Sequence, residues 1–181
     1  MANLMFRRFL ACLQFPALKT LFIDLDYREV TTKTLHWGGV ADLLFRSGAT
    51  LQNLEVSART MASFPLFLEA LPTLKHLAIT DILLQHCLST GCHAQLCRNL
   101  GSLRILNKYY LAERAVIVIR SIIDESAVEG PIAARPLVLV VPSRIRGSLS
   151  LPPGSNLELV DDDDWIARQQ HDLYEKTGAN W

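Results

Sequence analysis

The chain has 181 residues, half of them hydrophobic and a fifth charged, with 18 basic side chains balanced by 18 acidic ones. That length suits one domain with a tail, and the apolar content supplies a sizeable core and excludes wholesale disorder. The charge balance holds by halves, 8 basic to 7 acidic over residues 1–90 and 10 to 11 over 91–181, so no basic lobe marks a nucleic-acid footprint.

The opening MANLMFRRFLACLQF is apolar, but Arg7 and Arg8 interrupt it where a signal peptide needs an unbroken apolar stretch. No segment approaches the ~18 apolar residues of a membrane span. The expectation is a soluble intracellular chain, cytoplasmic or nuclear, whose Cys12, Cys87, Cys92 and Cys97 are thiols rather than disulfides. Within residues 1–14, Leu4, Met5, Phe6, Phe9, Leu10 and Leu13 pattern as a partial repeat or helix without a strand of its own. A solenoid ends in caps with a polar outer face, so this apolar start suggests the trailing part of a longer array.

From residue 15 a block recurs four times: FPALKTLFI at 15–23, GATLQNLEV at 48–56, LPTLKHLAI at 71–79 and LGSLRILNK at 100–108. Its leucine pairs are Leu18/Leu21, Leu51/Leu54, Leu74/Leu77 and Leu103/Leu106, spaced 33, 23 and 29 residues apart. The end of each block alternates apolar and polar residues, the period of a strand with one buried face. A lone short strand cannot bury that face. Stacked in parallel, such strands share a core, and parallel neighbours need a crossover, usually a helix.

The intervening segments fit helices. Residues 35–45 offer Leu35, Val40, Leu43 and Leu44; 61–71 offer Phe64, Leu68 and Leu71; 82–96 offer Leu84, Leu88 and Leu96. Over 112–128, Ala112, Val116, Ile119, Ile123 and Ser126 form one stripe. The β-branched run at 116–119 also fits a strand, but the stripe continues to Ile123 and favours a helix. Two weaker strands follow, PLVLVV at 136–141 and NLELV at 156–160. The expected organisation is a repeat domain over 1–160 and a tail over 161–181, an acidic turn and then a short helix from Trp165 to Lys176.

These blocks resemble the leucine-rich region that follows the F-box in many fungal F-box proteins, where P-x-L-x-x-L-x-[LI] strands alternate with helices of uneven length. The likeness runs from residue 15 to about 141 or 160. It implies an α/β leucine-rich-repeat solenoid of five to six irregular repeats, with strands on a concave face and helices on a convex one. It also implies the substrate-recognition part of a ubiquitin-ligase adaptor. The first strand begins too early to leave room for an F-box, and no asparagine occupies the turn position, which falls on Asp26, Arg59, Ile82 and Leu111. A doubly wound sheet is the competing fold. It expects glycines after its first strand, where this chain has Asp24-Leu25-Asp26-Tyr27-Arg28.

Catalytic signatures are missing: no G-x-S-x-G, Walker loop, G-x-G-x-x-G or H-E-x-x-H. Cys87, Cys92 and Cys97 follow C-x4-C-x4-C beside His86 and His93, but five-residue steps on a helix turn ~140° each and gather no single zinc face. Asp161–Asp164 reads as a solvated turn or helix N-terminus rather than a calcium loop. Arg135, Arg144 and Arg146 are too few for nucleic acid. No metal or cofactor is expected.

The expected function is therefore non-enzymatic protein or peptide binding through outward strand residues. Those are Thr20, Phe22 and Asp24; Asn53, Glu55 and Ser57; His76, Ala78 and Thr80; and Ile105, Asn107 and Tyr109, with Phe22 and Tyr109 as aromatic anchors. The alternatives are a small α/β enzyme or ligand-binding domain with an unfamiliar motif, and a repeat fragment without independent function.

Overall fold

The computed structural model describes residues 13–24, 37–58, 63–90, 100–106, 137–153 and 157–167, with 116–117, 119–120 and 122–123 between them. Strands β1 (Thr20–Asp24), β2 (Asn53–Ser57), β3 (His76–Thr80), β4 (Ser102–Leu106), β5 (Leu137–Val141) and β6 (Leu157–Asp161) form one six-stranded sheet. They lie side by side in chain order and every neighbouring pair is parallel. Helix α1 (Trp37–Ser47) follows β1, α2 (Phe64–Glu69) follows β2 and α3 (Asp81–Ser89) follows β3, while α4 (Ser143–Arg146) separates β5 from β6. Helical residues also occur between β4 and β5, within 116–123, and directly after β6 at 162–167. Glycine-free continuation of β1 and consecutive strand order set the chain apart from the doubly wound alternative.

Register pairs Leu21, Leu54, Leu77, Leu103, Leu139 and Leu159 across the six strands. Two residues on, Ile23, Val56, Ile79 and Ile105 align in the same way. Both rows belong to one hydrophobic core with the buried residues of α1, α2 and α3, so the helices cover that face of the sheet. This corrects the expected fourth block. Leu103 sits where the second leucine of each other block sits, so the equivalent pair is Leu100/Leu103 rather than Leu103/Leu106. Leu100 and Leu103 join the core, whereas Leu106 is buried outside it.

The strand starts share one backbone device. The Lys19 carbonyl accepts from the N–H groups of Gln52 and Asn53 at 2.8 and 2.9 Å, and that of Gln52 from Lys75 and His76 at 2.8 and 3.0 Å. The Lys75 carbonyl likewise accepts from Gly101 and Ser102, at 2.7 and 3.1 Å. Threonine hydroxyls serve other loop carbonyls, Thr73 donating to Leu51 and Thr80 to Ala58. Among the described residues, carbonyls before the strands and in these loops thus find backbone or hydroxyl donors; the turn positions Asp26, Arg59 and Leu111 lie outside the described residues.

Helix α1 buries Trp37, Val40, Leu43, Leu44 and Ser47, a stripe at helical spacing. It ends in a Schellman arrangement: Gly48 N–H donates to the Phe45 carbonyl at 3.0 Å and Ala49 N–H to that of Leu44 at 3.2 Å. Gly48 adopts φ +61°, which a glycine reaches without a Cβ penalty. Trp37 then packs edge-on against Phe64 at 4.8 Å and tilted against Phe67 at 5.1 Å, joining α1 to α2. Neither Trp37 nor Phe67 belongs to the expected apolar stripes, and Leu35 and Leu96, which do, lie outside the described residues. Between β4 and β5, Ile119, Ile122 and Ile123 are buried on helical residues, in line with a helix rather than a strand there.

The core weakens toward the first strand. Leu21 and Ile23 are only half-buried, while Leu54, Val56, Leu77 and Ile79 are closed to solvent. Leu13 and Leu18 pack against the core from the same end; the rest of the expected N-terminal helix lies outside the described residues, as do most of the 1–14 and 161–181 segments.

Candidate functional site

Because strand residues alternate in direction, the face opposite the helices carries the remaining rows. One comprises Thr20, Asn53, His76, Ser102, Val138 and Glu158, and the next Phe22, Glu55, Ala78, Arg104, Val140 and Val160. A third, at the C-terminal ends of the strands, comprises Asp24, Ser57, Thr80 and Leu106. Nine of the twelve expected site residues therefore share this face. Ser57, Thr80 and Ala78 face it but are buried, which leaves Thr20, Phe22, Asp24, Asn53, Glu55 and His76 as its accessible members.

Ile105 is a correction. It aligns with Ile79 in the core, 1% exposed, because the fourth block is displaced by three residues. Ser102 and Arg104 take the outward positions instead. Asn107 and Tyr109 lie outside the described residues. The signal that locates Arg104 is present in the sequence: Leu100-Gly101-Ser102-Leu103-Arg104-Ile105 spells L-x-x-L-x-I as well as the other blocks do.

Polar side chains pair along the first row. Asn53 Nδ2 donates to Thr20 Oγ1 at 3.0 Å, and His76 Nδ1 lies 2.8 Å from Ser102 Oγ. His76 keeps much of its ring open, yet neighbouring strands crowd its base. That partial burial, and next the Lys75 charge, hold its pKa below the ordinary histidine value. Neutral imidazole then exchanges a hydrogen bond with the Ser102 hydroxyl in either tautomer.

The middle row holds the electrostatic centre. Arg104 Nε donates to Asp162 Oδ1 at 2.6 Å and Nη2 to Oδ2 at 3.3 Å, a two-pronged carboxylate grip. Its Nη1 lies 3.6 Å from Glu55 Oε2 on the other side. Glu55 is two strands away, and the intervening Ala78 is small enough for the guanidinium to pass over it. Asp162 comes from the segment that follows β6, so the ion pair joins β4 to the end of the sheet's last strand. Val140 and Val160 are 0% and 4% exposed although they lie outside the main core, on the face turned away from the helices. Accessibility on this face thus varies along each strand: Phe22 is 58% exposed and Glu158 is exposed, while Ser57, Ala78, Thr80 and Leu106 are buried.

The acidic run sits at a helix start, as expected, but the helix begins at Asp162 rather than Trp165: Asp161 closes β6, residues 162–167 are helical, and the rest of the expected helix lies outside the described residues. Ser143 Oγ lies 2.8 Å from Asp161 Oδ1 and 2.6 Å from Asp163 Oδ2, so a hydroxyl meets the acids there. Cys87 is a thiol buried in the core, facing away from any solvent-side ligand set. Among the described residues no group of three His, Cys, Asp or Glu side chains is placed to hold a metal ion, and no described helix is long and apolar enough to cross a membrane.

What the geometry defines is an α/β protein with an all-parallel, six-stranded sheet, helices on one face and a partly exposed face of mixed polar and apolar residues on the other. No protein-family model, curated protein or solved structure matches this chain.

Proposed function

We propose that this chain is a non-enzymatic protein-interaction module, a leucine-rich-repeat solenoid that grips a peptide or loop on the sheet face over β1, β2 and β3. The observation that carries the reading is the in-register outward row Phe22–Glu55–Ala78, flanked by Thr20–Asn53–His76. An exposed aromatic beside charged and hydrogen-bonding side chains on a rigid sheet is the composition of an interface centre. Three strands at ~4.8 Å spacing give a strip about 10 Å wide, enough for an extended segment and small for a folded partner. The substrate-recognition role in a ubiquitin-ligase adaptor is the narrower form of the same proposal. It requires a ligase-docking module joined to this chain before the ligase's linker protein binds.

The test is selection of binders from a random peptide library on the full chain, followed by alanine variants on both faces. Phe22→Ala should weaken the selected peptides at least ~10-fold, the loss of a buried aromatic anchor. Phe45→Ala, at a helix position 88% exposed, should leave them unchanged. Peptides lost with Phe45 and kept with Phe22 would contradict the proposed face.

A further inference from the structure

We propose that two copies of this chain pair through the outer edge of β1, antiparallel about a two-fold axis at Phe22, which joins two six-stranded sheets into one. The pairing uses the edge of the sheet rather than its open face, so it stands or falls independently of the interaction-module reading.

The two ends of the sheet are unlike. At one end β6 buries Leu157, Leu159 and Val160, which are 7%, 9% and 4% exposed. At the other end β1 leaves Leu21 and Ile23 half-buried and Phe22 58% exposed, so both core rows stop at β1 with a flank in water. An end strand presents unpaired backbone groups, and proteins blunt such edges with Lys, Pro or a bulge. β1 reads Thr20-Leu21-Phe22-Ile23-Asp24, with neither Lys nor Pro, and its register with β2 is unbroken over all five residues.

The backbone fixes which groups face outward. The Lys19 carbonyl points to β2, where it accepts from Gln52 and Asn53. Peptide groups alternate in direction along a strand, so Leu21 and Ile23 also turn theirs to β2, and Thr20 and Phe22 turn theirs to the outer edge. Among the described residues no strand pairs with that edge.

A second copy fits the edge by symmetry. Antiparallel pairing over all five residues sets Phe22 opposite Phe22, Leu21 opposite Ile23 and Thr20 opposite Asp24 of the second copy. Directly opposed residues share a face, so each half-buried core row continues into the other copy and the two Phe22 rings form a cross-strand pair. Phe22 also exchanges both backbone hydrogen bonds with its counterpart. The strand's one charge meets a hydroxyl and not its own copy: Thr20 Oγ1 accepts from Asn53 Nδ2 at 3.0 Å and keeps its O–H for the Asp24 carboxylate. Parallel pairing of the same two edges would turn one sheet over, set its helix face beside the other's open face and break both core rows.

The test uses the full chain. A single strand pair is a small interface, so sedimentation equilibrium should show reversible dimers with a dissociation constant of about 10–100 μM. Phe22→Lys, at an exposed ring position that leaves the fold intact by circular dichroism, places like charges on the axis and should weaken the dimer at least ~10-fold. Phe22→Cys under mild oxidation should cross-link two copies through the introduced thiols, located by peptide mass, because Cα atoms of such a pair lie ~5.5 Å apart. Glu55→Cys, in the same row one strand further in, should not, since its two copies lie about three strand spacings, ~14 Å, apart. A wild-type chain monomeric up to about 500 μM overturns the proposal. So does a folded Phe22→Lys variant that dimerises equally, or Glu55→Cys cross-linking as fast as Phe22→Cys.

Discussion

Truncating the stacked leucines one rung at a time separates an ordered stack from a general apolar core. Leu54, Leu77 and Leu103 are equivalent in register and 1–2% exposed, whereas Leu21 is half-buried at the end strand. Removing a fully buried leucine costs its transfer free energy and leaves a cavity, about 3–4 kcal/mol in a site that cannot collapse. Strands on both sides fix the walls around Leu77 and Leu103, so Leu77→Ala and Leu103→Ala should each cost that amount. Leu21→Ala loses about half of the transfer component and leaves no closed cavity, which predicts about 1–2 kcal/mol. Leu106→Ala, buried but outside the main core, belongs in that smaller class. Urea unfolding followed by circular dichroism reads these costs. With a slope of about 2 kcal/mol/M for a chain of this size, the interior variants shift the midpoint by about 1.5–2 M and the others by less than about 1 M. A Leu106 variant more damaging than Leu103, or a Leu21 variant as damaging as Leu77, would refute the register.

Helix α1 offers a pair of glycine substitutions of opposite sign. Gly48→Ala forces an L-residue to φ +61° with nothing nearby to clash, so its cost, about 1 kcal/mol, is conformational; Gly38→Ala, in open space near the helix start, should gain about 0.5 kcal/mol. Urea midpoints moving in the same direction for both would contradict the Schellman ending. Trp37→Phe keeps the aromatic cluster and should cost about 1–2 kcal/mol, because the indole N–H has no hydrogen-bond partner among the described residues, whereas Trp37→Ala should cost about 3–5 kcal/mol. Comparable midpoints for the two variants would show that Trp37 is not packed as described. His76 titrates below the ordinary value in the folded chain, so the fold favours its neutral form. Its contribution is complete above about pH 6.5, the unfolded value, and is lost as pH falls through that value toward the folded one. The wild type should therefore lose more stability between pH 7.5 and pH 5.5 than His76→Gln does; equal losses would remove His76 from the account.

The parallel sheet in chain order was legible because each short strand carries its own alternation, Leu21/Ile23, Leu54/Val56 and Leu77/Ile79, next to a leucine three residues earlier. The fourth strand was misread because Leu100, Leu103 and Leu106 repeat every three residues and offer two equivalent leucine pairs. Only Ile105 breaks the tie: it must alternate with Leu103 on the buried face, which sends Arg104 outward. Helix stripes were readable where leucines carry them. Trp37 and Phe67 escaped because they anchor helix starts and contacts between helices, which a stripe of leucines does not report. The Arg104–Asp162 grip joins residues 58 positions apart, and no local spacing encodes a pair at that range. The acidic run announced a helix start, but where that start rests depends on the completed sheet.

Backbone nuclear Overhauser contacts across the leucine row decide whether the six strands stack in chain order. The parallel stack in chain order predicts interstrand contacts around Leu21–Leu54, Leu54–Leu77, Leu77–Leu103, Leu103–Leu139 and Leu139–Leu159, all with the slanted parallel pattern. Contacts that skip a strand, such as Leu54 with Leu103, or an antiparallel pattern at any of these steps, would contradict it.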